Sequence, residues 1–170
     1  MKTEFDNFVD SYIEEVNESI KSSGWDVSYF TEYKIKKVKE WLRGKNEFDK
    51  PTILDFGCGL GLAEIYFENH FPGASIYGVD VSPKSVNITH TLPLENTHFC
   101  LYDGQKLPFE AEYFDIIFTA GVFHHISRVK HAALMKEIKR VLKINGFFFL
   151  FELNKFNPVV RSISNKSRFD

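Results

Sequence analysis

Asp55 stands two residues before Gly57, and Gly59 and Gly61 follow at alternate positions, so a carboxylate and three residues without a Cβ share one short segment. Glycines let a backbone turn sharply and come close to a ligand. The carboxylate would repel a pyrophosphate, whereas it suits a ligand carrying an ammonium or sulfonium charge. The dinucleotide fingerprint G-x-G-x-x-G needs its third glycine where Leu62 stands, so a nicotinamide dinucleotide is disfavoured. A second acid, Asp80, closes the segment SIYGVD at the place where an acid in such folds accepts from both hydroxyls of a ribose. Ribose together with positive charge points to S-adenosylmethionine.

These residues need elements to hold them. Ile53, Leu54 and Phe56 read as a short buried strand ahead of the glycines, and Leu62, Ile65, Tyr66 and Asn69 recur at helical spacing behind them. Strands are expected near 52–56, 75–80, 97–102, 113–119 and 146–153, alternating with helices. Such alternation implies an α/β, Rossmann-like parallel sheet with helices on both faces. Upstream, Phe5, Phe8, Val9, Tyr12, Ile13, Val16 and Ile20 share a helical spacing that stops at Ser22, Ser23 and Gly24. A second helix over 28–43 sets Phe30, Val38, Trp41 and Leu42 on a dry face and Lys36, Lys37, Lys39 and Arg43 on a wet one. The expected organisation is an N-terminal helical cap or lid at 1–50, a cofactor-binding core at 51–153 and a C-terminal tail at 154–170.

Five blocks in register then resemble one family. DFGCGLG (55–61), GVDVS (78–82), YDGQKLPF (102–109), FDIIFTAGVFHHI (114–126) and RVLKINGFFFLFE (140–152) are similar to the successive motifs of class I S-adenosylmethionine-dependent methyltransferases of the small-molecule type. The resemblance implies S-adenosylmethionine as cofactor and S-adenosylhomocysteine as product. It places Asp55 and the backbone from Gly57 through Cys58 and Gly59 to Gly61 against the methionine moiety, Asp80 on the ribose and Val81 on one adenine face. Asp103, Gly104 and Gln105 would meet the adenine edge, although Asp-Gly is a strong turn pair whatever the ligand. Ala120 would border the sulfonium. Tyr33 and Lys34 would close over the cofactor, although aromatic residues at helical spacing are more often core, and Lys34 is open to pairing with the methionine carboxylate or equally to solvent.

Methyl transfer from a sulfonium asks the protein chiefly to position its reactants, with a base needed where the acceptor must lose a proton. His124 and His125 are the candidate catalytic residues, and packing or capping is the other role open to them. Adjacent residues of a helix point about 100° apart, so at most one faces the methyl group. His70, His90, His98 and His131 show no partner pattern and read as surface residues. The acceptor is expected to be a small molecule of unassigned atom type, and a binding module without turnover is the alternative.

Composition is compatible with a single domain having a real core. The formal charge of −2 provides no global field for nucleic acid, so no nucleic-acid partner is expected. Cys58 and Cys100 lack ligand spacing for a metal, and with no targeting or membrane-spanning segment visible the expected location is the cytoplasm. The resembled family closes its sheet with two further strands after the fifth. FFFLFEL (147–153), apolar on both faces, is therefore expected to lack a neighbour on one edge, as in a shortened form of the fold or a homodimer paired along that edge.

Overall fold

The computed structural model describes residues 6, 9, 11–21, 24–45, 48–154 and 156–157. Phe5, Phe8, Ser22, Ser23 and most of the expected tail lie outside the described residues. Two helices, α1 (Tyr12–Ile20) and α2 (Val27–Leu42), precede a sheet of five parallel strands: β1 (Thr52–Phe56), β2 (Ser75–Asp80), β3 (Thr97–Leu101), β4 (Phe114–Ala120) and β5 (Leu142–Phe151). Helices α3 (Leu62–His70), α4 (Pro83–Thr89) and α5 (Arg128–Val141) supply the crossovers, while residues 102–113 join β3 to β4 without a helix.

The strand order is β3-β2-β1-β4-β5, so the chain winds outward from β1 in one direction and then in the other. A crevice must open at the carboxyl ends of β1 and β4, where successive loops diverge. Strand β1 is buried on both faces and so joins two cores. Ile53 packs with Ile35, Val38 and Leu42 of α2 and Phe67 of α3, whereas Leu54 and Phe56 pack with Ile138 and Val141 of α5. Local chemistry sets the helix starts. Asp26 accepts from Tyr29 N–H at 2.9 Å to cap α2, and Ser82 accepts from Ser85 N–H at 3.1 Å to cap α4.

Four sequence readings shift. Strand β5 begins at Leu142 rather than 146, pairing Leu142 with Phe114 before an irregularity that leaves Ile144 and Asn145 exposed. Helix α3 buries Ala63, Glu64 and Phe67, and Ile65 points outward. An acid on the buried face broke the apolar spacing, so the apolar residues alone indicated the neighbouring face. Helix α2 buries Ile35 in place of Trp41. The Trp41 ring instead meets Phe147 and Phe149 edge-on, with Lys45 Nζ 3.3 Å from its centroid. His131 is not a surface residue without partners, because its Nε2 bonds two carbonyls of the loop after β4. No helix of the described residues is long and apolar enough to cross a membrane.

Candidate cofactor site

A crevice of about 1270 Å³ opens where the fold requires it, beyond β1, β2, β3 and β4. Its floor is the loop after β1. Gly57, Gly59 and Gly61 all take positive φ, and a Cβ on Gly57 would lie 2.4 Å from Val122 Cγ2. Gly57 is therefore closed to a side chain by conformation and by space, whereas Gly59 has open space around it and is set by conformation alone. Gly61 itself starts α3 and faces Leu92, Phe99 and Thr89, outside the crevice lining. Asp80 ties the floor to the end of β2: Oδ2 accepts from Gly59 N–H at 2.9 Å and Oδ1 from Ser82 N–H at 2.8 Å. A carboxylate accepts at roughly four lone-pair positions, so each oxygen keeps capacity for a ligand hydroxyl.

Two titratable groups of the crevice, Asp55 and Lys34, have no bonding partner among the described residues. Asp55 is buried, and among the described residues nothing donates a hydrogen bond to its carboxyl. Burial first, and the neighbouring Asp80 second, push its pKa up to about 8, with Lys34 pulling the other way. Lys34 reaches the crevice from α2 and forms no ion pair with the described residues. Burial lowers its pKa, opposed by the fields of Asp55 and Glu152. An acid and a base that face one cavity without touching each other are complementary to a zwitterion.

The remaining walls follow from neighbouring loops. Val81, 38% exposed, offers an apolar surface above Gly104. Asp103 accepts from Gln105 and Lys106 N–H groups at 2.8 and 2.9 Å, which closes its own turn and holds its pKa below the usual carboxylate value. Ala120 and His124 border the crevice from the end of β4, and His125 lies beside them, the two histidine rings 4.0 Å apart. From the amino-terminal side, Tyr12 of α1 and Thr31 of α2 enter the lining. Tyr33 does not: it is 48% exposed, stacked on Tyr29, and outside the lining.

The sequence reading missed Tyr12 as a lining residue, along with Thr31 and Tyr102. Tyr12 sits in the same apolar stripe as the expected lid, so its spacing carried that signal. Glu152 was also missed. It accepts from Val122 and Phe123 N–H groups at 3.0 and 2.7 Å and from His124 Nδ1 at 2.7 Å, and no local pattern announces those contacts.

Residues 54–150 match the model of a family described as "Methyltransferase domain". That span contains the floor, the crevice acids Asp55, Asp80 and Asp103, and the loop after β4. This chain belongs to the methyltransferase domain family. Its relatives include the uncharacterised methyltransferase sll0829 of Synechocystis, 28% identical over 108 residues that cover 61% of this chain and 47% of that protein. Another is the sterol 4-C-methyltransferase strm-1 of Caenorhabditis elegans, 31% identical over 61% of this chain and 31% of that protein. Among solved structures, an S-adenosylmethionine-dependent methyltransferase from Aquifex aeolicus is 26% identical with a TM-score of 0.62, covering 72% of this chain and 64% of its own. The chain spans less than half the length of these curated relatives.

The methyltransferase domain is of class I, and its cofactor is S-adenosylmethionine. The crevice fits that molecule by its own chemistry. A ligand with an ammonium, a carboxylate, a sulfonium and a ribose diol meets an acid and a lysine without partners among the described residues, two glycines on the floor and a second acid with spare acceptor capacity.

Proposed function

We propose that this domain transfers a methyl group from S-adenosylmethionine to a small-molecule acceptor. The observation that carries the reading is that Asp55 and Lys34 line the crevice with the glycine loop, neither with a hydrogen bond or ion pair among the described residues. In it, Asp55 receives the ammonium and Lys34 the carboxylate of the amino-acid moiety, while the backbone of Gly57, Cys58 and Gly59 lies along it and Gly61 sets the entry into α3. Asp80 accepts from the ribose hydroxyls, Val81 covers one adenine face, and Asp103, Gly104 and Gln105 border its edge. Ala120 leaves room at the reacting centre because a methyl side chain permits close approach.

The bound cofactor supplies an electrophilic methyl group with a thioether as leaving group. The chain's own work is to hold donor and acceptor in line and to exclude water, which is where most of the rate of such a displacement arises. Helices α1 and α2 serve as the cap: Tyr12, Thr31 and Lys34 line the crevice from that side. His124 stands at the acceptor end, and His125 beside it is the more exposed of the two. Two free thiols, Cys58 and Cys100, support a cytoplasmic setting.

A thermal-shift comparison tests the reading. S-adenosylhomocysteine at a hundredfold excess over its dissociation constant should stabilise the fold by about 2.7 kcal/mol, a shift of several degrees. NAD should give none, and Asp80→Ala should remove most of the S-adenosylhomocysteine response. A shift with NAD alone would end the proposal.

A further inference from the structure

We infer that Asp6 is a positioning residue for the ribose acid: it clamps Ser82, and Ser82 in turn aims the carboxylate of Asp80. The inference rests on the methyltransferase reading of the crevice and adds to it a residue from outside the crevice lining. Asp6 precedes α1 and stands 76 positions from Ser82 in the chain, yet Ser82 Oγ–H donates to Asp6 Oδ1 at 2.5 Å. The Lys84 N–H reaches the same oxygen at 3.3 Å. Asp6 is 7% exposed, and Ser82 and Ser85 are fully buried, so the contact is made away from water.

A serine hydroxyl has one proton to give and two lone pairs to receive. At Ser82 the proton goes to Asp6, which leaves the lone pairs for Ser85, its N–H at 3.1 Å and its Oγ–H at 2.9 Å. Without Asp6 that proton is free to turn to Ser85 Oγ and reverse the bond. From its other side Ser82 donates its backbone N–H to Asp80 Oδ1 at 2.8 Å. Ser82 is thus gripped by hydroxyl and by backbone at once. The turn from Asp80 to Ser82 takes its form from its own residues, and Asp6 fixes where it points.

Aim matters at Asp80 because each of its oxygens already holds one N–H, from Gly59 on Oδ2 and from Ser82 on Oδ1. Only the remaining lone pairs can take a ribose diol, and a two-pronged contact tolerates little rotation of the carboxylate. Burial raises the Asp80 pKa, the Ser82 and Gly59 N–H groups lower it, and Asp6 raises it again. The charge of Asp6 therefore works against an ionised ribose acid, and its bond to Ser82 is what works in favour of binding.

Calorimetric titration with S-adenosylhomocysteine and with its analogue lacking both ribose hydroxyls tests the assignment. Asp6→Ala should weaken S-adenosylhomocysteine about tenfold and the dideoxy analogue less than about twofold, because only the diol depends on the aim of Asp80. Ser82→Ala keeps the N–H to Asp80 and removes the hydroxyl that Asp6 grips. It should give the same pattern, and it carries the test if Asp6→Ala does not fold. Asp6→Asn keeps an oxygen for Ser82 and loses only the charge, so its affinity for S-adenosylhomocysteine should stay within about twofold of wild type. Equal losses of both ligands in Asp6→Ala and Ser82→Ala, or no loss of either, overturn the assignment. So does a loss in Asp6→Asn as large as in Asp6→Ala, since the charge rather than the bond would then be at work. Wild type that binds both ligands equally removes Asp80 from the ribose and Asp6 with it, whereas wild type that binds neither ends the methyltransferase reading itself.

Discussion

The two walls of the crevice are held by different means. The wall built from the loops after β1 and β2 is local: three glycines with positive φ shape it, and Asp80 bridges from Ser82 to Gly59. The opposite wall, after β4, has its shape imposed from outside, by Glu152 beyond β5 and His131 of α5. A wall encoded in its own residue types suits a ligand common to many proteins, which under the proposed function is the cofactor. A wall held by distant side chains can be re-aimed by changing those side chains alone, which is what adaptation to a particular acceptor requires.

The walls meet at Gly57, so the largest effect is expected there. Gly57→Ala must hold an alanine at φ +80° with its Cβ on Val122. Left-handed backbone costs roughly 1–2 kcal/mol and overpacking typically 1–3 kcal/mol, so urea unfolding should show a loss of roughly 2–5 kcal/mol. Binding of S-adenosylhomocysteine should be lost with it. A variant of unchanged stability that still binds would show that the two walls are not in register at this point.

The same contrast explains what could be read from residues alone. The turn residues and the acids at strand ends follow from spacings within a dozen positions, and β1 and β2 lie where Ile53, Leu54, Phe56 and SIYGVD put them. Glu152 and His124 are 28 positions apart, and only the parallel pairing of β4 with β5 brings them together. His131 is seen as a clasp only once α5 is packed. Trp41 misleads for another reason: large aromatic residues usually signal core, but here Phe147, Phe149 and Lys45 provide for it at the surface.

Beneath the local wall lies a group that no bond supports. Glu64 is fully buried, its carboxyl oxygens have no hydrogen-bond partner among the described residues, and Gly78 is shaped around one of them. Burial first and Asp55 second raise its pKa well above the usual value. An acid raised in the folded state favours folding fully below its unfolded pKa, and that contribution is lost as pH rises. Asp55 acts in the same direction between its ordinary 3.8 and about 8. Wild-type stability should therefore decline from mildly acidic to mildly alkaline pH. Glu64→Met removes the unsatisfied carboxyl at similar volume and should raise stability at neutral pH by about 1–2 kcal/mol, with a flatter pH slope in calorimetry. A variant less stable than wild type at alkaline pH would mean that Glu64 has a partner this wall conceals.

The smallest effect discriminates most finely between the walls and the cap above them. Lys34 and Tyr33 are neighbours on α2, but the helix turns Lys34 into the crevice and leaves Tyr33 stacked on Tyr29 with Lys37 Nζ 5.4 Å from its ring centre. Lys34→Met keeps the apolar stem and removes the cation whose field reaches Asp55, so the Kd for S-adenosylhomocysteine should rise several-fold, about 1 kcal/mol. Tyr33→Ala should change that Kd by less than about twofold, since an exposed ring outside the crevice makes no contact to lose. Equal losses in calorimetric titration would place the aromatic face of α2 over the cofactor and make the cap, rather than the charges beneath it, the main determinant of affinity. The two substitutions differ by one position and about 100° of helix, so any difference between them measures direction rather than distance.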